Sequence, residues 1–207
     1  MRVFAACCPA CREVAARPAT RCDAPGLPRR GMLAGALALA AAPFAPAAAT
    51  PAAVAEVLGS GPRRIAIRRV QTGESLSGIY WRDGRYDREL LRQLDWLMRD
   101  PSLGEATPMD PRLFDVMATV QKVLGSEEAW HVISGYRAPE TNALRARQSR
   151  RVSRVSLHMS GMAADVMLPG QSSLGIARIA AELQLGGVGL YRRDGFIHLD
   201  CGPARRW

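Results

Sequence analysis

The chain has 207 residues, of which 48% are hydrophobic and 23% charged, and this composition excludes a largely disordered protein. Its formal net charge of +9 comes from 28 basic and 19 acidic residues. The arginines are scattered rather than banded and no Cys-x-x-Cys-His motif is present, so neither a nucleic-acid protein nor a heme protein is indicated.

Residues 1–49 have the pattern of an export signal. Arg29-Arg30 precedes an uncharged run rich in Ala and Leu over 31–42, and small residues continue to 49. The paired arginines favour the twin-arginine route, with a general secretory signal as the alternative. The apolar run is shorter than the ~20 residues of a membrane span, and prolines interrupt the stretch of small residues after it. We therefore expect cleavage near residue 49, a periplasmic mature protein and no membrane span after cleavage, rather than a retained anchor.

Cleavage would change the charge and the cysteine content. The first 49 residues hold six basic and two acidic residues, so the remainder keeps 22 and 17, a formal charge of +5. This charge suits an ordinary solvated surface and also a protein that works beside anionic envelope polymers. Four of the five cysteines lie in the removed segment, which leaves Cys201 alone and no internal disulfide.

The predicted domain covers 62–207 and comes after a short linker over 50–61. It begins with a small antiparallel unit, in which 64–70 alternates in the manner of a strand. A second extended run over 77–81 ends at the turn signal Asp83-Gly84.

Two amphipathic helices are predicted next. Asp87 caps the first, and Asp110-Pro111 begins the second. Apolar residues recur in both at helical spacing. The predicted apolar positions are Leu90, Leu91, Leu94, Trp96, Leu97 and Met98 in the first helix, and Leu113, Val116, Met117, Val120 and Val123 in the second.

Short apolar strands dominate from Trp130 onwards. The predicted strands cover 131–134, 163–168, 188–191 and 196–200. A helix is predicted over 173–184, with Ile176, Ile179, Ala180 and Leu183 facing inward. Helices followed by a mostly antiparallel sheet predict an α+β domain, with the chemistry on the sheet half.

Three side chains in this half are candidate metal ligands. His158 and Asp165 are seven residues apart across a loop that turns at Ser160-Gly161, and His198 lies on a later strand. Two imidazoles and one carboxylate leave a fourth position open for water, as catalytic zinc requires. The spacing alone is weak, because such a pair also occurs as hydrogen-bond partners in ordinary turns.

Several stretches, in order along the chain, resemble the zinc D-alanyl-D-alanine peptidases and, more closely, the murein endopeptidase K family. They are 109–113, 133–137, 141–142, 156–158 with Gly161 and Asp165, 186–189, and 196–200 through 206–207. The resemblance implies a Hedgehog-like α+β fold, with N-terminal helices packed on the sheet that carries the site. It also implies one Zn²⁺ per chain, bound by His158, Asp165 and His198.

The resemblance further implies that Arg137 meets a carboxylate or carbonyl of the substrate. A guanidinium on a loop after a strand suits bidentate carboxylate recognition, although it could instead fix the following loop. Ser134, Tyr136 and Ser156 flank the proposed site and are candidates for substrate binding, or else serve turns.

The general base is missing from its usual place. Better known relatives carry a Glu or His shortly before the last zinc ligand, where Gly195 and Ile197 stand here. The nearest carboxylate is Asp200, on the same strand face as His198, so Asp200 is the candidate base. Alternatively it orients an imidazole. Cys201 should point away from His198 and pack as a buried thiol.

The expected reaction is zinc-dependent hydrolysis of an amide in the stem peptides or cross-links of peptidoglycan. Cleavage of the cross-link is favoured because the murein endopeptidase K family is the nearest resemblance. A D-Ala-D-Ala carboxypeptidase, or a non-catalytic peptidoglycan-binding module with the same fold, is the alternative.

Overall fold

The structure is a computed structural model and describes residues 51–150 and 152–207; the predicted export signal lies outside the described residues. The described chain contains five α-helices and eight strands. In order they are α1 (Pro51–Leu58), β1 (Arg63–Arg69), β2 (Ser75–Arg82), β3 (Arg85–Tyr86), α2 (Arg88–Leu97), α3 (Pro111–Val123), β4 (Trp130–Ser134), α4 (Pro139–Gln148), β5 (Ala163–Met167), α5 (Ser173–Leu183), β6 (Gly187–Tyr191), β7 (Phe196–Asp200) and β8 (Arg205–Arg206), with a short 3-10 helix, Leu157–Ser160, before β5. None of the described helices is long and apolar enough to span a membrane.

All eight strands form one sheet in the order β3-β2-β1-β4-β5-β7-β6-β8. Neighbouring strands are antiparallel except for the pairs β1/β4 and β6/β8, which are parallel. The first hairpin is therefore part of the same sheet as the later strands, because β1 pairs with β4 from Ile67 opposite Trp130 to Arg69 opposite Val132. Helices together with a mostly antiparallel sheet confirm the α+β class.

Helix α3 provides the largest helical part of the core. Its buried apolar side chains are Leu113, Phe114, Val116, Met117, Ala118 and Val120, and it packs against α1, α5 and strands β1 and β7. Asp110 caps it by accepting the backbone N–H of Arg112, and Pro111 occupies its first turn, as predicted. Asp87 caps α2 in the same way by accepting from Glu89 and Leu90. The capping residues thus begin both predicted helices where expected.

Asp115, on α3, joins this helix to the first hairpin. Its carboxylate accepts hydrogen bonds from the hydroxyls of Tyr80 (2.9 Å) and Tyr86 (2.6 Å) and pairs with Arg63 (2.7 Å). Because all three partners satisfy one buried carboxylate, the helix is held against β1, β2 and β3 by directional bonds as well as by apolar packing.

Two predicted core positions are wrong. Trp96 is 54% exposed and Val123 is 44% exposed. Trp96 comes two residues after Leu94, which turns it about 200° around the helix and away from the buried stripe; its ring packs under the guanidinium of Arg99 instead. Val123 is the last residue of α3.

Five described elements differ from the sequence prediction. Strand β3 follows the predicted turn at Asp83-Gly84, and the 3-10 helix lies in the predicted loop before β5. The other three are α1, α4 and β8. The predicted linker over 50–61 contains helix α1, whose Val54 is buried in the core. Helix α4 is absent from the prediction because it has no apolar stripe: its buried residues are Thr141 and Asn142, and Ala138 makes no side-chain cap. The two-residue strand β8 is too short to give a periodic pattern.

Candidate metal centre

The three predicted ligands lie on adjoining parts of the described chain. His158 is on the 3-10 helix, Asp165 is at the middle of β5, and His198 is at the middle of β7. Strands β5 and β7 are antiparallel neighbours, with Asp165 directly opposite His198. The sheet register therefore brings together two residues that are 33 positions apart in sequence.

Gly161 allows His158 to reach the same point. It ends the 3-10 helix with φ of 66°, in the left-handed region, and a Cβ there would lie 2.5 Å from the carbonyl oxygen of Pro108. Both observations favour glycine over any other residue. The tight turn sends the chain from His158 directly into β5.

The ligand atoms form an almost equilateral triangle. Nε2 of His158 lies 3.2 Å from Nδ1 of His198 and 3.3 Å from Oδ1 of Asp165, and the distance from Nδ1 of His198 to Oδ1 of Asp165 is 3.1 Å. Tetrahedral zinc with bonds of 2.0–2.1 Å to N and O places its ligand atoms about 3.3 Å apart. The triangle thus has the dimensions of one face of a zinc coordination tetrahedron.

Hydrogen bonds on the far side of each ring determine which atoms face the centre. Nδ1 of His158 lies 2.7 Å from the carbonyl oxygen of Gly135, which can only accept, so this nitrogen carries the proton. Nε2 of His198 lies 3.0 Å from Oδ2 of Asp200 and donates to it. In the neutral imidazoles, Nε2 of His158 and Nδ1 of His198 therefore direct lone pairs at the same point as the Asp165 carboxylate. Such outer hydrogen bonds are typical of metal-binding histidines.

All three side chains are buried. Burial and the neighbouring charges together shift their pKa values. Burial lowers the pKa of His158, which favours the neutral ring that a metal needs. Burial would raise the pKa of Asp165, but the two imidazoles hold it well below its usual range. Burial would lower the pKa of His198, but hydrogen bonds to Asp165 and Asp200 outweigh it and raise this pKa. Because the pKa of His198 is raised, a metal ion competes with a proton for this ring at acidic pH.

Asp200 lies behind His198 rather than beside the centre. Its Oδ2 accepts from His198 and from Nη2 of Arg205 (2.7 Å), and its Oδ1 accepts from Nη1 of Arg205 (3.1 Å) and from the backbone N–H groups of Gly187 (3.0 Å) and Gly202 (2.9 Å). Burial would raise its pKa, but His198 and these N–H groups lower it to about 2.

A general base at Asp200 would have to face the water bound at the centre, and the contacts of Asp200 differ from that arrangement. The imidazole of His198 itself stands between the Asp200 carboxylate and the point where the three ligand atoms converge. Five donors already bind the two carboxylate oxygens, and the side chain is completely buried. Of the two roles left open by the sequence, the contacts match the orientation of an imidazole.

Arg137 is buried behind Asp165. Its Nη2 lies 3.5 Å from Oδ2 of Asp165 and donates to Oγ of Ser134 (3.3 Å), while Nη1 donates to Oδ1 of Asn142 (3.2 Å). Asn142 also donates to the backbone carbonyls of Ser153 and Arg154. Arg137 thus connects the outer oxygen of Asp165 to α4 and to the loop beyond it.

A cleft of about 330 Å³ opens over the triad. Arg137 and Ser156 line it, and the structure leaves the predicted substrate-binding residues Ser134 and Tyr136 outside its lining. Ser134 is buried against Arg137, and Tyr136 packs against the core with its backbone N–H bonded to Met98. The remaining described lining residues are Arg145, Val152, Ser153, Val155, Leu157, Tyr191, Phe196, Arg205 and Trp207, besides the triad itself.

Sequence reasoning missed three residues that support the centre. Arg205 pairs with Asp200, Trp207 packs its ring 5.2 Å from that of His198, and Asn142 binds Arg137. Gly187 makes room for the pairing of Arg205 with Asp200, because a Cβ there would collide with both side chains. The signal available in the sequence was the presence of Asn142 and Trp207 in the stretches that resemble the peptidase family.

Cys201 packs as predicted. Its thiol is buried in the core, close to the backbone carbonyl of Met162, and burial raises its pKa to about 12. A protonated thiol is a poor metal ligand. The ligand cluster among the described residues accordingly consists of His158, Asp165 and His198.

Comparison with known proteins gives a consistent family assignment. A sequence profile described as peptidoglycan L,D-endopeptidase MepK matches residues 58–207. A probable peptidoglycan L,D-endopeptidase MepK from Haemophilus influenzae is 41% identical over 147 residues, covering 70% of this chain and 79% of the relative. The peptidoglycan L,D-endopeptidase MepK of Escherichia coli K12 is 40% identical over 148 residues, covering 70% and 80%. No solved structure matches the chain.

Proposed function

The chain belongs to the peptidoglycan L,D-endopeptidase MepK family, and we propose that it is an exported murein endopeptidase that hydrolyses peptide cross-links with one zinc ion. The zinc would be held by His158, Asp165 and His198. Residues 1–49 would be the export signal, and the mature protein would act on peptidoglycan in the periplasm.

The convergence of three acceptor atoms carries the proposal. With Nδ1 of His158 donating to Gly135 and Nε2 of His198 donating to Asp200, two lone pairs and one carboxylate oxygen meet at 3.1–3.3 Å with no proton among the neutral groups. Above the pKa of His198, three acceptors at such distances repel one another unless a cation lies among them, and at lower pH the second proton of this imidazole takes that place. Imidazole and carboxylate ligands suit zinc, and three protein ligands leave a position open, which distinguishes catalytic from structural sites.

A zinc ion bound in such a site supplies Lewis acidity toward the scissile carbonyl and toward the attacking water. Hydrolysis adds that water across the amide, breaks the carbon–nitrogen bond and yields a carboxyl group and an amine. The protein holds the three ligand side chains in the orientation that the metal ion requires. Asp200 holds the proton on Nε2 of His198, Gly135 holds the proton on Nδ1 of His158, and Arg137 fixes the outer oxygen of Asp165.

The cleft above the triad would hold the peptide. Tyr191, Phe196 and Trp207 offer apolar surface on one side, and Ser156 presents a hydroxyl among the lining residues. Tyr191 and Phe196 stack with ring centroids 4.6 Å apart, so this wall is preformed rather than assembled by the substrate. The relatives are named L,D-endopeptidases, and we propose that this chain also cuts an amide between an L and a D centre.

Cleavage of purified cross-linked sacculi by the mature protein tests the function. We expect soluble fragments from shortened cross-links, no release after treatment with a chelator, and recovery when zinc is restored. His158→Ala and His198→Ala should each lose the activity, because each removes one of three ligands. The matched control is His131→Ala, which removes the remaining histidine, on β4, and should retain it.

Mass spectrometry of the fragments separates the competing functions. Loss of terminal D-alanine alone, with cross-links intact, would indicate a carboxypeptidase. Binding of sacculi that is unaffected by chelation, without any cleavage, would indicate a non-catalytic module and overturn the proposal.

A further inference from the structure

Three arginines line the cleft, and two of them are already engaged. Arg137 lies against Asp165, and Arg205 makes two hydrogen bonds to Asp200. Arg145 differs from both: within residues 51–150 and 152–207, no carboxylate lies in salt-bridge range of its guanidinium and no side-chain hydrogen bond involves it. The cleft thus contains an uncompensated cation beside the triad.

Helix α4 determines where Arg145 points. Asn142, one turn earlier on the helix, is buried and bonded to Arg137, so this side of α4 faces the site. Arg145 comes next on that side and is half-buried at the edge of the cleft. Its neighbour in the last turn, Arg147, is exposed and does not line the cleft. The two arginines therefore share a helix terminus but differ in access to the substrate.

The chemistry of the cleft favours an anion at this position. The segment 145–154 contains five arginines and no acidic residue, and Asp165 is the only carboxylate among the described lining residues. A half-buried guanidinium retains less water than an exposed one, so a planar anion that meets its fork of donors gains a strong charge-assisted pair. A peptide carboxylate has this shape and charge.

We propose that Arg145 is a specificity-determining residue that binds a free carboxylate of the substrate peptide, one that is not part of the scissile amide. The inference rests on the proposed function, since it assigns the substrate's charge to the same cleft. The enzyme would thereby prefer acidic stem peptides over their amidated forms. Peptides whose carboxylates are amidated would lose the contact with Arg145 and keep their other contacts with the cleft.

The test compares zinc-loaded wild type, Arg145→Gln, Arg145→Lys and Arg147→Gln. The substrates are a soluble cross-linked muropeptide dimer and the same dimer amidated at one free carboxylate at a time. Cleavage gives kcat and KM separately. Calorimetric binding of a monomeric stem peptide, in acidic and amidated forms, gives a second measurement that does not depend on cleavage.

We expect wild type to favour the acidic dimer over one amidated form by about 10- to 100-fold in kcat/KM, mainly through KM, the scale of one charge-assisted hydrogen-bonded pair. Arg145→Gln should lose a similar factor on the acidic dimer and should no longer distinguish the two forms. Arg145→Lys should retain part of the preference, because it keeps the charge without the planar fork. Arg147→Gln should behave as wild type.

Three results would overturn the inference: no preference in wild type for any acidic form, an unchanged preference in Arg145→Gln, or equal losses in Arg145→Gln and Arg147→Gln. The last would show that both arginines act only as cations at the end of α4. Failure of the proposed function looks different. A wild type that cleaves no dimer, but binds the acidic monomer more tightly than the amidated one through Arg145, would refute the peptidase and support the carboxylate site.

Discussion

The proton on Nε2 of His198 is the smallest feature on which the metal centre depends. A carboxylate at 200 can only accept, so it selects the tautomer that leaves Nδ1 free for a metal ion. Arg205 and two backbone N–H groups in turn keep that carboxylate ionised and in place. Metal binding at one side of the ring would therefore be controlled from the other side.

Asp200→Asn should weaken zinc binding rather than abolish chemistry. An amide can donate to Nε2 of His198, which would favour the opposite tautomer and place a proton where the metal must bind. We expect zinc affinity to fall about 10- to 100-fold, and turnover to recover largely at saturating zinc. Zinc competition assays and sacculus cleavage on the same variant measure both quantities.

Asp194→Asn is the matched control, because it also replaces an aspartate by asparagine, in the turn between β6 and β7. Unchanged zinc affinity in Asp200→Asn, combined with a turnover loss of about 100-fold or more at saturating zinc, would instead identify Asp200 as the general base.

Zinc affinity should rise with pH until His198 loses its proton. The pKa of His198 is raised by Asp165 and Asp200, so below that pKa a metal ion must displace a proton, and affinity should change about tenfold per pH unit. His158 has a lowered pKa and Asp165 is already ionised, so neither adds a second proton near neutrality. Calorimetry in buffers of different ionisation enthalpy, between about pH 5 and about pH 8, should count one proton released at the acidic end.

Above the pKa of His198 the same titration should show no proton release and a flat affinity. Release of two protons per zinc around neutral pH would contradict the assignment of His158 as a neutral ring.

At the scale of elements, the turn between the 3-10 helix and β5 decides whether His158 reaches the centre. Gly161 provides this turn with a positive φ, and a Cβ there would meet the carbonyl of Pro108 and the side chain of Thr107. The carbonyl of Gly161 also accepts the backbone N–H of Asp110, the cap of α3. The turn therefore links the candidate metal centre to the main core helix.

Gly161→Ala should be more harmful than Gly170→Ala. Both glycines have positive φ, of 66° and 75°, but a Cβ at Gly170 meets no atom within 4 Å, whereas one at Gly161 collides with backbone. We expect about 1 kcal/mol of lost stability for Gly170→Ala, from the conformational cost alone, and about 1–3 kcal/mol more for Gly161→Ala. Denaturant unfolding of the zinc-free proteins measures this difference, and zinc titration should show weaker binding only in Gly161→Ala.

Equal unfolding free energies in the two variants would mean that the turn can move away from Pro108 without cost. In that case Gly161 would not fix the position of His158.

At the scale of the whole molecule, the described domain and the first 49 residues have separate expected roles. Val54 belongs to the core and the family profile begins at residue 58, so the described core and the profile both begin close to the predicted cleavage point. An export signal before it would deliver the domain to the compartment that contains its substrate.

N-terminal sequencing of the protein recovered from the periplasm should therefore begin near residue 50. Replacement of Arg29-Arg30 by two lysines should block export if the twin-arginine route is used and should have little effect on a general secretory signal, because the positive charge is kept. A periplasmic protein that begins at Met1 would contradict cleavage.

Much of the fold could be predicted because its signals are local. The caps Asp87 and Asp110 and the apolar periodicity of α3 lie within a few residues of the structure that they determine. Helix α4 could not be predicted in this way, since its position depends on Asn142 bonding to Arg137 and to a loop eleven residues further along the chain. The joining of the first hairpin to the main sheet likewise depends on a parallel pair between distant strands.

The sequence by itself determined the fold class, the family and the three side chains able to hold a metal ion. These features depend on the type of each residue and on spacing over short stretches of the chain. Only the tertiary structure decided how these side chains are used. The register of β5 and β7 aligns Asp165 with His198, and the position of β8 brings Arg205 to Asp200. Those contacts place the Asp200 carboxylate against the imidazole of His198, which favours the orienting role over that of a general base, and they leave Arg145 as the unpaired cation among the described residues of the cleft. The physical reason is that hydrogen-bond partners are set by distances across the fold, which separation along the chain does not encode.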